Sequence, residues 1–169
     1  GFNEFYVLRN NPEIQELVKT GIYGSALEWY LETNPIDIST FAKNAKVIGS
    51  KNDDIIKLRE GDETALGKEG NDLIYVYDGN DTVTGGSGSD IIVISGTVGV
   101  NNNNIMTDFS IADGDKVDLT AYGITNSNRV SELLSQSSDG VILSVEEYVS
   151  VLFQDLDLVE LTTSDGWIV

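Results

Sequence analysis

The chain has 169 residues, with 28 acidic and 10 basic side chains, a formal net charge of −18, and neither cysteine nor histidine. Those absences exclude disulfides, thiol chemistry and thiolate metal sites, and they remove the commonest zinc ligand and general base; no Ser-His-Asp, Cys-His or HExxH constellation can form. The charge argues against nucleic acid and anionic membrane surfaces as partners, and no apolar run approaches the length of a membrane span.

The chain opens on Gly1 and shows no signal peptide, so a fragment of a longer polypeptide is expected. Asn11-Pro12-Glu13 predicts a helix start, with Asn as N-cap, Pro at the first helical position and an acid in the first turn. Ile14, Leu17 and Val18 follow at helical spacing, and Gly21 is the expected stop. Ser25–Glu28 reads as a capping box ahead of Leu27, Trp29, Tyr30 and Leu31, in a second helix ending near Asn34-Pro35. Phe2, Phe5 and Tyr6 add to the same apolar face, which reads as packing rather than a ligand box. A helical segment is expected over 1–45, a repeat domain over 46–100 and a strand-rich flank over 101–169.

From Val47 the helical period gives way to one of nine. Asp54, Glu63, Asp72, Asp81 and Asp90 stand nine apart, each followed two residues later by Ile56, Ala65, Ile74, Val83 or Ile92. Two residues before each stands Asn52, Gly61, Gly70, Gly79 or Gly88. Five such matches in a row arise by chance about once in ten thousand, so the period is structural and predicts a stack of like turns. In each nonapeptide the first six residues make a tight turn and the last three a short strand with its middle residue inward. Two repeats close one coil of 18 residues, so 54, 72 and 90 recur on one side and 63 and 81 on the other. Clustered carboxylates and backbone carbonyls, with no nitrogen or sulfur donors, select calcium over transition metals and over magnesium.

Charge follows the repeats and what succeeds them: residues 1–48 carry six acids and four bases, 49–93 carry ten and four, and 94–169 carry twelve and two. Outward positions on the odd strands are Ile55, Leu73, Ile91, Tyr75 and Val93, against Thr64, Thr82 and Thr84 on the even ones. An apolar outer face of this kind is expected to be covered, by the N-terminal helices or by post-repeat strands. After Val93 the sequence predicts a loop through Asn101–Asn104, then strands at 105–109, 116–119, 140–145, 148–153 and 156–161, with a short helical turn at 126–132.

The segment GGSGSDIIV (85–93) resembles the G-G-x-G-x-D-x-U-x nonapeptide of the RTX family at every defined position, and GKEGNDLIY (67–75) at all but the second glycine. The resemblance implies a parallel β-roll with calcium held between turns by the aspartates and by carbonyls of the glycine loops. Carried over by position, the implied metal set is Asn52, Asp54, Glu63, Gly67, Gly70, Asp72, Gly79, Asp81, Gly85, Gly86, Gly88 and Asp90. Glu63 for Asp, and Leu58-Arg59 and Val76-Tyr77 for the paired glycines, are departures. Two good sites are therefore expected at Asp54/Asp72 and Asp72/Asp90, with a weaker one at Glu63/Asp81. Asp108, Asp113 and Asp115 are a further candidate ligand set where the roll ends.

Residues 105–109 and 113–119 resemble the segment that follows the roll in bacterial proteins exported by type I secretion. The final Asp165-Gly-Trp167-Ile168-Val169 resembles their C-terminal signal, and reads equally as a last strand. The resemblance implies a calcium-binding module at the end of a secreted or surface protein that folds on calcium binding after export. Its partners would be calcium ions, upstream passenger domains and the type I secretion machinery, with no nucleic acid and no membrane insertion. A different reading is an adhesin or polysaccharide-binding surface module. No catalytic role is expected, because the carboxylates are explained by their period.

Overall fold

The computed structural model describes residues 37–39, 44–97, 99–162 and 166–168; the helices expected before Pro35 lie outside them. Successive strands through the ninth alternate between two sheets, because each turn reverses the chain and each second turn returns it to the same side. One sheet runs, in spatial order, β1 (Asp37–Ser39), β3 (Ile55–Lys57), β5 (Leu73–Val76), β7 (Ile91–Ile94), β9 (Lys116–Asp118) and β13 (Trp167–Ile168). The other runs β2 (Lys46–Ile48), β4 (Thr64–Glu69), β6 (Thr82–Ser87), β8 (Asn102–Met106), β12 (Val149–Gln154), β11 (Gly140–Glu146) and β10 (Leu134–Gln136). This is a parallel β-roll with an antiparallel hairpin at its end. β1 is a strand within the stretch expected to be helical.

The repeat sets the register. Ile55 pairs with Leu73 and Leu73 with Ile91, and Thr64 pairs with Thr82, each 18 residues on. That register stacks Ile56, Ile74 and Ile92 inward from one sheet and Ala65 and Val83 from the other, all buried. Burying each of the isoleucines contributes about 1.5–3 kcal/mol. Leu58, Val76 and Ile94, which stand where the first glycine of the nonapeptide would be, complete the same core.

The roll continues past the repeats. β8 pairs with β6 at Thr82↔Ile105, and β9 with β7 at Ile91↔Lys116, so the coil lengthens to 23 and then 25 residues. The expected loop at Asn101–Asn104 is thus largely strand, with Asn102 and Asn104 pointing inward. A second correction concerns 156–161, expected as strand. It holds α2 (Leu158–Thr162), preceded by α1 (Ser127–Leu133) with Asn126 as its N-cap. Asp157 and Glu160 explain α2: Asp157 Oδ1 accepts from Val159 N, and Glu160 Oε2 accepts from Asp157 N, a capping box. Phe153 joins the flank to the roll, edge-on to Phe109 at 5.1 Å and to Trp167 at 5.9 Å.

The outer row is half-buried at Leu73, Tyr75, Ile91 and Val93, and Ile55 is 38% exposed. The post-repeat strands extend the two sheets end to end instead of folding over this face.

Candidate metal centre

Two columns of acids run along the roll, one at each row of turns. On the odd side the Asp54 amide donates to Asp72 Oδ1 (2.8 Å), the Asp72 amide to Asp90 Oδ1 (2.8 Å) and the Asp90 amide to Asp115 Oδ1 (2.9 Å). On the even side the Glu63 amide donates to Asp81 Oδ1 (2.8 Å) and the Asp81 amide to Asn104 Oδ1 (2.9 Å). Each acid therefore uses one oxygen to tie its own coil to the preceding one. The second oxygen is left over: Glu63 Oε2, Asp72 Oδ2, Asp81 Oδ2 and Asp90 Oδ2 are buried with no hydrogen-bond partner. A buried carboxylate oxygen without a donor costs several kcal/mol, so these four atoms are arranged for something other than a protein hydrogen bond.

The odd turns leave room for it. A Cβ added to Gly67 would collide with both Asp72 Oδ2 and the Gly85 carbonyl, so those two oxygens converge on one point beside Gly67 Cα. At Gly49 the same construction meets Asp54 Oδ2 and the Gly67 carbonyl, and at Gly85 it meets Asp90 Oδ2. In the even turns this place belongs to the buried side chains of Leu58 and Val76. The first odd turn differs again: Asp54 Oδ2 accepts from Ser50 N (2.5 Å) and Oδ1 from Ser50 Oγ (3.0 Å).

Burial dominates the titration of these acids. It pushes Asp72 and Asp81 up to about 7 and Asp90 to about 6, against the hydrogen bond each accepts from the preceding coil. Neighbouring carboxylates add to the rise: Asp90 and Asp54 at Asp72, Glu63 at Asp81, and Asp115, Asp108 and Asp113 at Asp90. Burial also raises Asp115. At Asp78 burial works upward but is outweighed by hydrogen bonds from Thr97 Oγ1 and N, which hold the carboxyl below its ordinary value.

The other positions singled out in the sequence divide by role. Gly70 packs on the Asn52 carbonyl, Gly88 on that of Gly70, and Gly86 on that of Lys68. Gly79 shows why glycine is required: at φ +133° it lies so close to the Gly61 carbonyl that no side chain fits. Lys68 takes φ +89° where the nonapeptide has its second glycine. Asp108 Oδ1 and Oδ2 accept from Gly85 N (2.9 Å) and Gly86 N (2.8 Å), and Asp115 Oδ2 accepts from Ser110 N (2.7 Å). Asp113 is exposed, and its amide donates to the Ser110 carbonyl.

Sequence reasoning passed over three features. Ser50 satisfies the first acid of the odd column. Asn104 ends the even column as an amide, its Nδ2 buried without a partner. A second, exposed ladder runs beside the acids: Asn71 N and Nδ2 donate to Asp53 Oδ1, Asn80 N and Nδ2 to Asp62 Oδ1, and Asn103 N and Nδ2 to Asn80 Oδ1. Its signal was present in the residues one before each buried acid, Asp53, Asp62, Asn71, Asn80 and Ser89.

The donors fit a hard cation. Among the described residues no three His, Cys, Asp or Glu side chains gather at one point. The sites pair one or two carboxylates with main-chain carbonyls instead, an all-oxygen set that suits calcium's tolerance of many neutral ligands.

Residues 59–92 match the family model of the RTX calcium-binding nonapeptide repeat, in 4 copies. Among solved structures, the chain is similar in fold to the AlgE6R3 subunit of the Azotobacter vinelandii mannuronan C5-epimerase, at TM-score 0.55 and 21% identity, over 79% of this chain and 78% of that one. The AlgE6R2 subunit of the same enzyme aligns over 75% of this chain and 94% of that one at 22% identity and TM-score 0.29. Among curated proteins, none matches. No helix among the described residues is long and apolar enough to cross a membrane.

Proposed function

We propose that this chain, which carries RTX calcium-binding repeats over residues 59–92, is a calcium-loaded module of a secreted bacterial protein whose roll orders as ions enter between its coils. The observation that carries the reading is the set of buried carboxylate oxygens with no protein partner. Without an ion they must be desolvated and set close to one another, which opposes folding; a divalent cation offsets both costs at once. Binding energy then becomes folding energy, and a chain kept loose where calcium is scarce would order where calcium is abundant.

In this reading Asp72 Oδ2 and the Gly85 carbonyl hold an ion with help from Asp90, and Asp54 and Asp72 hold a second with the Gly67 carbonyl. Carbonyls of the stacked turns, those of Asn52, Gly70, Gly79, Gly86 and Gly88 among them, fill the remaining positions. Glu63 and Asp81 form a weaker site, because Leu58 and Val76 fill the space that glycine leaves open on the odd side. Calcium here neutralises and crosslinks; the chain's residues perform no chemistry on a substrate, and any activity belongs to passenger domains upstream.

The test is circular dichroism of the chain titrated with calcium and then with a chelator. Strand signal that rises with calcium and falls back with the chelator supports the reading, and a spectrum indifferent to both removes it. A second reading, recognition of a polysaccharide, draws on the stacked pair Tyr75 and Tyr77 (6.4 Å between rings, 12° apart) beside the apolar outer row. Reproducible binding on a glycan array in the presence of calcium would promote it.

A further inference from the structure

Asp54 differs from the two acids that follow it in its column. Asp72 and Asp90 each give one oxygen to the amide of the preceding coil and keep a second that is buried without a partner. Asp54 has both oxygens engaged within its own turn: Ser50 N donates to Oδ2 (2.5 Å) and Ser50 Oγ to Oδ1 (3.0 Å). The hydroxyl is held from its other side, where it accepts from Asn52 N (3.1 Å). Ser50 and Asp54 are both buried, so water takes no part in this clamp.

The backbone explains why the clamp forms here. Ser50 stands where the next two odd turns have Lys68 and Gly86, which take φ of +89° and +107°. Ser50 is not in that region, and its N–H turns toward its own aspartate. In the third odd turn the corresponding N–H, that of Gly86, donates to Asp108 Oδ2 instead. Serine suits the inward form, because its hydroxyl bonds readily to groups a few residues away. The other donors of the odd turns are still present. A Cβ on Gly49 would meet both Asp54 Oδ2 and the Gly67 carbonyl, as one on Gly67 would meet Asp72 Oδ2 and the Gly85 carbonyl.

We propose that Ser50 is an internal substitute for calcium at Asp54: it closes the first odd turn without an ion and makes that site the last to load. This rests on the calcium reading of the repeats and adds a rank order that the repeat pattern does not contain. A polarised N–H and O–H do for Asp54 what a cation must do for Asp72 and Asp90, which is to satisfy a desolvated carboxylate. An ion entering beside Gly49 displaces existing hydrogen bonds, whereas one entering beside Gly67 meets an oxygen with no partner. Giving up two such bonds corresponds to an affinity lower by roughly ten- to a hundredfold. The roll then has two calcium thresholds, a low one for its middle coils and a high one for its first. Ser50 acts through Asp54, as a positioning residue.

The experiment is a calcium titration of the whole chain followed by NMR, reading the amides of residue 50 and of 70–90, with bound calcium counted by equilibrium dialysis. It is run on the wild type, Ser50→Gly and Ser50→Ala. In the wild type the Ser50 amide is expected to shift at calcium roughly ten- to a hundredfold above the level that orders 70–90, with one ion bound in that later step. Ser50→Gly removes the hydroxyl and frees residue 50 to take positive φ, so the two steps should merge. Ser50→Ala removes the hydroxyl and keeps the N–H donor, so the gap should narrow without closing. A merely structural serine would shift both steps together and leave their ratio unchanged. A wild type in which residue 50 and 70–90 respond at the same calcium, or a gap that Ser50→Gly leaves intact, overturns this proposal and leaves the repeat reading standing. No response to calcium in either segment overturns both. Should Ser50→Gly fail to fold, the wild-type titration and Ser50→Ala still decide.

Discussion

The Asp54 amide and the Asp72 carboxylate, one coil apart, are joined by a 2.8 Å hydrogen bond to Oδ1, while Asp72 Oδ2 is buried with no partner at all. A single side chain thus holds two coils in register and offers one desolvated oxygen to the gap beyond. The same division recurs at Asp90 and Asp81, so the ladder and the ion sites are built from one set of residues.

Acid should stabilise the ion-free roll. Asp72 and Asp81 rise from 3.8 to about 7 on folding and Asp90 to about 6, so the folded state binds more protons than the unfolded one between those values. Stability contributed by these groups is highest below about pH 4 and falls as the pH climbs toward 7, by on the order of 4 kcal/mol for Asp72 alone. Urea unfolding in chelator is expected to give a higher midpoint at pH 5 than at pH 8, and calcium affinity should rise over the same interval as protons cease to compete.

Asp72→Asn separates the two duties of that residue. Asparagine Oδ1 can still accept from the Asp54 amide, but the buried charge and the free oxygen are gone. At pH 8 the ion-free variant is expected to gain roughly 1–3 kcal/mol, the relief of charge burial less the cost of an unsatisfied amide. Thermal melts should show a smaller rise with calcium than in the wild type.

Gly67→Ala tests the cradle rather than the charge. The added methyl would occupy the point where Asp72 Oδ2 and the Gly85 carbonyl converge. A loss of roughly 1–3 kcal/mol in chelator is expected from the forced shift, and calcium affinity measured by titration should fall by more than tenfold.

Asn104→Asp places a carboxylate at the end of the even column, where Asn104 Nδ2 is now buried without a partner. With Asp81 adjacent, the ion-free variant should melt lower at pH 8 than the wild type. Added calcium should recover more stability than it does in the wild type, as read by paired melts in chelator and in calcium.

The architecture was legible because nine-residue spacing converts directly into position: residues 18 apart must stack, and Ile56, Ile74 and Ile92 do. Legibility failed where the spacing stretched. Asn104 and Asp115 occupy the acid positions of the next two half-coils, but they lie 23 and 25 residues beyond Asp81 and Asp90, so no fixed period finds them. The asparagine run at 101–104 looked like a loop because asparagine favours turns, whereas here β8 pairs with β6 and β12, and Asn103 joins the exposed ladder through Asn80. Residues 156–161 alternate like a strand, and the capping pair Asp157 and Glu160 overrides that pattern. The site was half visible: the acids were plain, but that Leu58 and Val76 close the even cradle follows only from their burial.

The most direct measurement is anomalous diffraction from crystals of the chain grown in calcium. The account predicts an ion between the odd turns, ligated by Asp72 Oδ2 and the Gly85 carbonyl. Asp72 and Asp90 carboxylates turned to solvent, with no ion between the coils, would contradict it.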